Sequence, residues 1–227
     1  MIPERGQEPR MLKHLNNHHD NHPLSTLRWL ALIASLGVTH SAHAAPQKII
    51  LIRHAEKNIP QSISQNINPR GLVRSINLAH MIPGCFGKPS QIFVFPFKPD
   101  HYDTEQREYQ TAVPVASALE VDIDFLIPPN HNSIDAGSEL RQLNSDSHPL
   151  VLVVWSHHRM PDLAKGLGWP HMKKIANDDF DLLFEFEYSS GESAPKVTKF
   201  QQSQLNAKQC AQRPSPLPFG PFYKLKK

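Results

Sequence analysis

The sequence is short of the features that would assign it at once. It has two cysteines in 227 residues, which excludes a disulfide-built scaffold and a four-cysteine zinc site. Its charge is nearly balanced, with 24 basic against 21 acidic side chains; a net +3 leaves no electrostatic footprint for nucleic acid. Ten glycines form no phosphate loop of the Walker or dinucleotide type. No repeat with a period of roughly 20–50 residues occurs, which excludes solenoids and propellers. No apolar run approaches the about 20 residues that cross a bilayer. What remains, 39% hydrophobic and 20% charged residues, suits a globular chain with one main domain.

The longest uncharged apolar run, residues 29–38, follows Arg28 and precedes Ala42-His43-Ala44. A basic flank, a short apolar stretch and a small-x-small exit predict a signal peptide over residues 1–44 and export to the periplasm or beyond. An uncleaved anchor or a buried helix is the competing reading, and Met11 is an alternative start. His14, His18, His19 and His22 fall in a polar Asn/His/Asp stretch of this leader, which reads as solvated rather than metal-binding. Cleavage after Ala44 leaves a domain over residues 45–213 and a Pro-rich arm, residues 214–227, ending Lys-Leu-Lys-Lys. Oxidising conditions would open pairing to Cys85 and Cys210.

Within the domain, strands and helices alternate. Residues 48–52 are a short β-branched run that predicts a buried strand ending in Arg53-His54. Leu72, Ile76, Leu78, Ala79 and Ile82 have helical spacing, stopped by Pro83-Gly84. Residues 91–95 predict a second strand and 104–119 a helix containing Pro114, a site for a kink or a late start. Residues 150–155, Leu-Val-Leu-Val-Val-Trp, are apolar throughout, as buried parallel strands are. A helix over 160–167 ends at Gly168. Residues 180–188 predict an outer strand with its acidic side chains turned to solvent, and 196–202 a last strand. The expected architecture is a three-layer α/β sandwich, a mostly parallel central sheet with helices on both faces. Ligands of such sheets bind at the carboxyl ends of the strands. Arg53-His54 and Ser156-His157-His158 both follow confident strands, so both histidine-bearing segments fall on that edge.

An arginine there suits phosphate, because its planar fork donates two parallel hydrogen bonds. A histidine serves as nucleophile, base or metal ligand. Either dipeptide alone is an ordinary polar strand exit. With Arg107 at the start of a predicted helix, three strand-to-helix junctions converge on a phosphate pocket.

The segments Ile50-Leu51-Ile52-Arg53-His54-Ala55-Glu56-Lys57, Asn68-Pro69-Arg70-Gly71, Arg107-Glu108-Tyr109-Gln110-Thr111-Ala112 and the strand leading to His157 together resemble the histidine phosphatase superfamily, which includes phosphoglycerate mutases and acid phosphatases. Trp155-Ser156-His157-His158 followed by Pro161-Asp162 is similar to a little-characterised bacterial and fungal subgroup. The resemblance implies a phosphoglycerate mutase-like fold and a two-step, metal-independent phosphomonoester hydrolysis without cofactor. His54 would attack phosphorus and become phosphohistidine, while Arg53, Arg107 and His157 hold the phosphoryl oxygens. Such a nucleophile must be neutral, and neighbouring arginines lower its pKa. Ala55 stands where the family has Gly, which is tolerable if its φ stays negative. Lys57 stands where acid phosphatases have a third phosphate-binding Arg. For the proton donor the resemblance leaves Asp162 and, after it, Glu56; Asp162 also reads as an ordinary carboxylate in a helix first turn.

The implied partner is a small phosphorylated substrate, with no nucleic acid and no stable membrane span after signal cleavage; oligomeric state is not legible. The rival readings are a non-catalytic phosphate-ligand binding protein on the same scaffold, a phosphotransferase or mutase, and a metal-dependent hydrolase. His101, His131, His148 and His171 lie in predicted loops without ligand spacing. The loops around 56–70, 96–106 and 126–148 carry no legible specificity pattern.

Overall fold

A computed structural model describes residues 45–58, 65–96, 106–126, 132–189, 194–205 and Cys210. The leader with its histidines, the C-terminal arm, His101 and His131 lie outside these residues. The described chain forms a six-stranded sheet in the order β3-β2-β4-β1-β5-β6. Its strands are β1 Lys48–Arg53, β2 Gln91–Val94, β3 Ile123–Phe125, β4 Leu150–Trp155, β5 Leu182–Glu187 and β6 Lys196–Gln201. The first four strands of that order run parallel, and β5 and β6 are added antiparallel to β1 and to each other. The helices are α1 Pro69–Cys85, α2 Gln106–Leu119, α3 Ser133–Arg141 and α4 Met160–Gly166.

Strand periodicity divides the core in two. Ile50, Ile52, Leu152 and Val154 pack with Leu78 and Ile82 of α1 and Ala112 and Val115 of α2. Ile49, Leu51, Val151 and Val153 pack with Ala136 and Leu140 of α3 and Leu163 and Ala164 of α4. Burial on both faces is why β1 and β4 read as continuous apolar runs. The result is the expected three-layer sandwich. Among the described residues no helix is long and apolar enough to cross a membrane.

Four elements differ from the sequence expectation. The β3 strand and the α3 helix fall in stretches without a legible pattern. β3 is three residues long with two exposed, and the buried residues of α3 are Ser133, Ala136, Gly137 and Leu140, too small and polar to give a clear apolar stripe. Small residues serve a purpose there: a Cβ on Gly166 of α4 would lie 2.0 Å from the Ile134 carbonyl oxygen, so only glycine lets α3 and α4 approach this closely. β5 is an interior strand, not an outer one. Its Glu185 is 2% exposed yet ion-paired with Lys48 at 2.6 Å, and the edge position belongs to β6. Pro83 does not stop α1, which continues to Cys85, and Pro114 lies inside α2. At the far end of α1, Cys85 is disulfide-bonded to Cys210, with Cα atoms 4.6 Å apart.

Candidate active site

The parallel pairing of β1 with β4 brings the two histidine segments together. Arg53 is in register with Trp155, and the His54 N–H donates to the Trp155 carbonyl at 3.3 Å. The His54 and His157 ring centroids are consequently 5.9 Å apart, nearly perpendicular at 79°. Arg53, His54 and His157 are all but fully buried, at 2%, 2% and 3% exposure.

The state of His54 follows from one hydrogen bond. Its Nδ1 lies 2.8 Å from the Ala55 carbonyl oxygen. A carbonyl only accepts, so Nδ1 carries the proton and the Nε2 lone pair is left exposed for chemistry in the neutral ring. Neutrality is secured by the surroundings. The His54 pKa is pushed down to about 3, first by burial and then by Arg53, Arg107 and His157, against the opposing bond to Ala55. Burial thus outranks the arginines that the sequence pointed to.

The backbone that presents His54 is braced from three sides. The Ala55 N–H donates to Thr111 Oγ1 at 2.8 Å, and that hydroxyl donates to the Arg107 carbonyl at 2.7 Å. Ala55 stands without backbone strain: among the described non-glycine residues only Glu120 has a positive φ, 52°. The first turn of α1 closes against the next residue. Asn68 caps it, accepting from the Gly71 N–H at 2.9 Å, and a Cβ on Gly71 would meet the Glu56 carbonyl oxygen at 2.4 Å. Gln110 Oε1 accepts from the Ile67 N–H at 2.9 Å.

Arg53 is held by a segment the sequence reading missed. Its Nη1 donates to the carbonyls of Ala176, Asn177 and Asp179 at 2.9, 3.3 and 2.6 Å. Its guanidinium lies 3.9 Å from the Phe180 ring centroid. Burial lowers its pKa to about 10, against the raising influence of Asp179 and Glu108. Arg107 donates through Nη1 to the carbonyl and side-chain oxygens of Gln65 at 3.2 and 3.0 Å. Arg53 Nε and Nη2, Arg107 Nε and His157 Nδ1 are buried with no hydrogen-bond partner among the described residues. An unsatisfied buried polar group costs about 1–3 kcal/mol, and the three guanidinium nitrogens among these are donors that an oxyanion would satisfy.

His157 is arranged oppositely to His54. Its Nε2 lies 2.9 Å from Asn177 Oδ1, which places the proton on Nε2 and leaves Nδ1 as a buried lone pair without a partner. Its pKa is depressed to about 4, by burial first and then by Arg53, His158 and Lys57, with Asn177 opposing. A dianion entering the site would add a contribution of the opposite sign, which favours a second proton on the ring. Lys57 belongs to the same basic group: burial and then Arg107 and Arg53 lower its pKa.

Of the two carboxylates named for proton donation, one is ion-paired and the other exposed. Glu56 turns to Arg74, whose Nε reaches both its oxygens at 3.0 and 2.9 Å and whose Nη2 reaches Oε1 at 2.7 Å. The Glu56 pKa is lowered despite burial because of that pairing, which keeps it an ion rather than an acid. Asp162 is exposed in the first turn of α4. Arg74 was not singled out from the sequence, yet its Nη1 also donates to Asp181 Oδ1 at 3.2 Å, and the Asp181 N–H donates to Asp179 Oδ1 at 3.0 Å. It therefore ties the β1 exit to the segment that grips Arg53. Among the described residues no group of three or more His, Cys, Asp or Glu is gathered to hold a metal.

No protein-family model matches the sequence, and no curated protein matches it. Solved structures do. The protein histidine phosphatase SixA complexed with tungstate superposes with a TM-score of 0.51 at 12% identity, over 70% of this chain and 99% of that one. Weaker likenesses, on which nothing rests, are to a protein described as the phosphohistidine phosphatase SixA from Nakamurella multipartitia (TM-score 0.46, 12% identity, 67% of this chain and 93% of that one) and to mycobacterial hydrolase 1 (0.43, 11%, 68% and 96%). The first likeness shows that the fold is the one histidine phosphatases use.

Proposed function

We propose that this chain is a histidine phosphatase, which hydrolyses phosphomonoesters through a phosphohistidine formed on His54. The observation that carries the reading is the buried, neutral His54 with Nδ1 committed to Ala55 and Nε2 free, beside buried guanidinium and imidazole nitrogens that lack partners. That is a nucleophile next to an oxyanion cradle. Phosphoryl transfer asks mainly for positioning and charge stabilisation, and Arg53, Arg107, His157 and Lys57 supply positive or proton-donating groups around a phosphoryl centre. Tungstate, bound in the SixA structure, is a tetrahedral oxyanion, and a cradle of the present kind suits such a ligand. In the first step His54 Nε2 attacks phosphorus in line with the departing oxygen; in the second, water attacks and returns the lone pair to Nε2. The substrate is small and phosphorylated. Export accords with the leader pattern of residues 1–44 and with the Cys85–Cys210 bond, which suits an oxidising compartment.

The test is hydrolysis of para-nitrophenyl phosphate by the full chain between about pH 4 and pH 8, with and without chelator, beside His54→Ala. Chelator-resistant turnover that disappears in the variant is the expected result. Turnover that survives in the variant would name another nucleophile; chelator-sensitive turnover would mean a metal-dependent hydrolase. An inactive wild type that still binds phosphate would mean a binding protein.

A further inference from the structure

Hydrogen bonds alone do not orient the free donors of Arg53. Three main-chain carbonyls take up one corner of the guanidinium, all of them through Nη1. The nitrogens left without a partner among the described residues are Nε and Nη2. Their N–H groups form the parallel side fork that can grip two oxygens of one phosphoryl group. Contact at one corner leaves the plane of that fork open, because the group can tilt about it. Phe180 removes that freedom. The guanidinium lies over its ring, with Cζ 3.9 Å from the centroid, the placement in which a cation is drawn to an aromatic face. The same ring stands 5.9 Å from the His54 ring at a 60° tilt, so one side chain borders both the cation and the nucleophile.

The ring is itself held in place. Phe180 is half-buried and lies two residues before β5. Its carbonyl and that of Leu182 accept from Nε2 of buried Gln202 at 3.3 and 3.1 Å. The Gln202 N–H donates to the carbonyl of Asp181, between them, at 2.7 Å. On the other side Asp179 supplies one of the carbonyls that hold Nη1. One segment thus fixes the corner of the guanidinium with its main chain and the face with its ring.

We propose that Phe180 is a positioning residue whose ring sets the plane of the Arg53 guanidinium, so that Nε and Nη2 meet the phosphoryl oxygens as a pair; the inference rests on the phosphatase reading. The ring makes and breaks no bond. An arginine free to tilt would hold one oxygen well and the second poorly, and the phosphorus would sit less squarely before His54. Because Phe180 acts through the plane of Arg53, its effect should vanish with that plane. Lysine, a point charge without a planar fork, provides that condition.

The experiment is a double-mutant cycle on the full chain, Phe180→Leu against Arg53→Lys. It is read by calorimetric binding of inorganic phosphate and by kcat/KM on para-nitrophenyl phosphate. With Arg53 present, Phe180→Leu should weaken phosphate binding by roughly 10–100-fold, the size of one charge-assisted hydrogen bond lost from the pair. In the Arg53→Lys background the same change should cost less than about threefold. Phe180→Met, which fills similar space without a ring, is carried through the same cycle with the same expectation, so the result does not hang on the folding of one variant. Phe180→Tyr keeps the ring and should bind phosphate within about twofold of wild type. Equal losses in the two backgrounds, or a tyrosine variant as weak as the leucine one, would mean that Phe180 only fills space and would overturn the inference. Phosphate binding without turnover in the wild type would instead overturn the phosphatase reading, with the binding cycle still deciding the role of Phe180.

Discussion

The exits of β1 and β4 are adjacent, parallel and alike in composition, but they end in histidines that present opposite nitrogens. His54 spends Nδ1 on its own neighbour's carbonyl and leaves Nε2. His157 spends Nε2 on Asn177, twenty residues away, and leaves Nδ1. The first arrangement is local and rigid, as a nucleophile requires. The second depends on a distant loop, and it suits a group that must change protonation when an anion arrives. The same side chain after the same kind of strand is thus made to present opposite nitrogens by one hydrogen bond each.

Breaking the two exits in turn should separate those tasks. His54→Asn should abolish turnover, whereas His157→Asn should leave an enzyme slowed by about 10²–10³-fold, the usual effect of losing one oxyanion donor; steady-state and single-turnover rates on para-nitrophenyl phosphate distinguish them. Acid should stress both exits. His54 takes its proton near pH 3 in the folded chain, down from 6.5, so between those values the unfolded chain binds more protons. Stability therefore falls as pH drops through that window, His157 adding its share down to about 4. Urea unfolding at several pH values should show the slope, and His54→Asn should flatten it. Gly71→Ala should disturb the β1 exit alone. It drives a methyl into the Glu56 backbone, and overpacking of this kind costs about 1–3 kcal/mol; urea midpoints measure that loss, and kcat should fall with it. Asn177→Ala removes the side-chain oxygen that holds His157 and keeps the main-chain carbonyl that accepts from Arg53. It should weaken inorganic phosphate binding by roughly tenfold or less, in keeping with a hydrogen bond worth about 1 kcal/mol, as read by calorimetry.

The legible parts of this molecule are those whose physics is local. β1 and β4 show because a strand buried on both faces must be apolar along its run; Arg53, His54 and His157 stand at the ends of such strands, and Arg107 in the first turn of α2. Gly71 and Thr111 stand in segments the sequence already singled out, though their reasons, a backbone contact and a bridging hydroxyl, appear only in the fold. The grip on Arg53 was illegible: it is made by carbonyls of Ala176, Asn177 and Asp179, and a carbonyl has no sequence signature. Arg74 was equally hidden, an arginine on an amphipathic helix whose partners lie at Glu56 and Asp181. Glu185 misled outright, because a buried carboxylate satisfied by Lys48 reads as a solvent-facing one. α3 was lost for the opposite reason: its contacts depend on the smallness of Gly137 and Gly166, and smallness leaves no stripe.

On the proposed reading, the bond between His54 Nδ1 and the Ala55 carbonyl also decides which of two chemical isomers of the adduct can form. Imidazole can be phosphorylated at either nitrogen, giving pros- or tele-phosphohistidine, which differ in lability and in phosphorus resonance. With Nδ1 turned into the main chain, only the tele form has room to arise, so the adduct would be isomerically pure by construction.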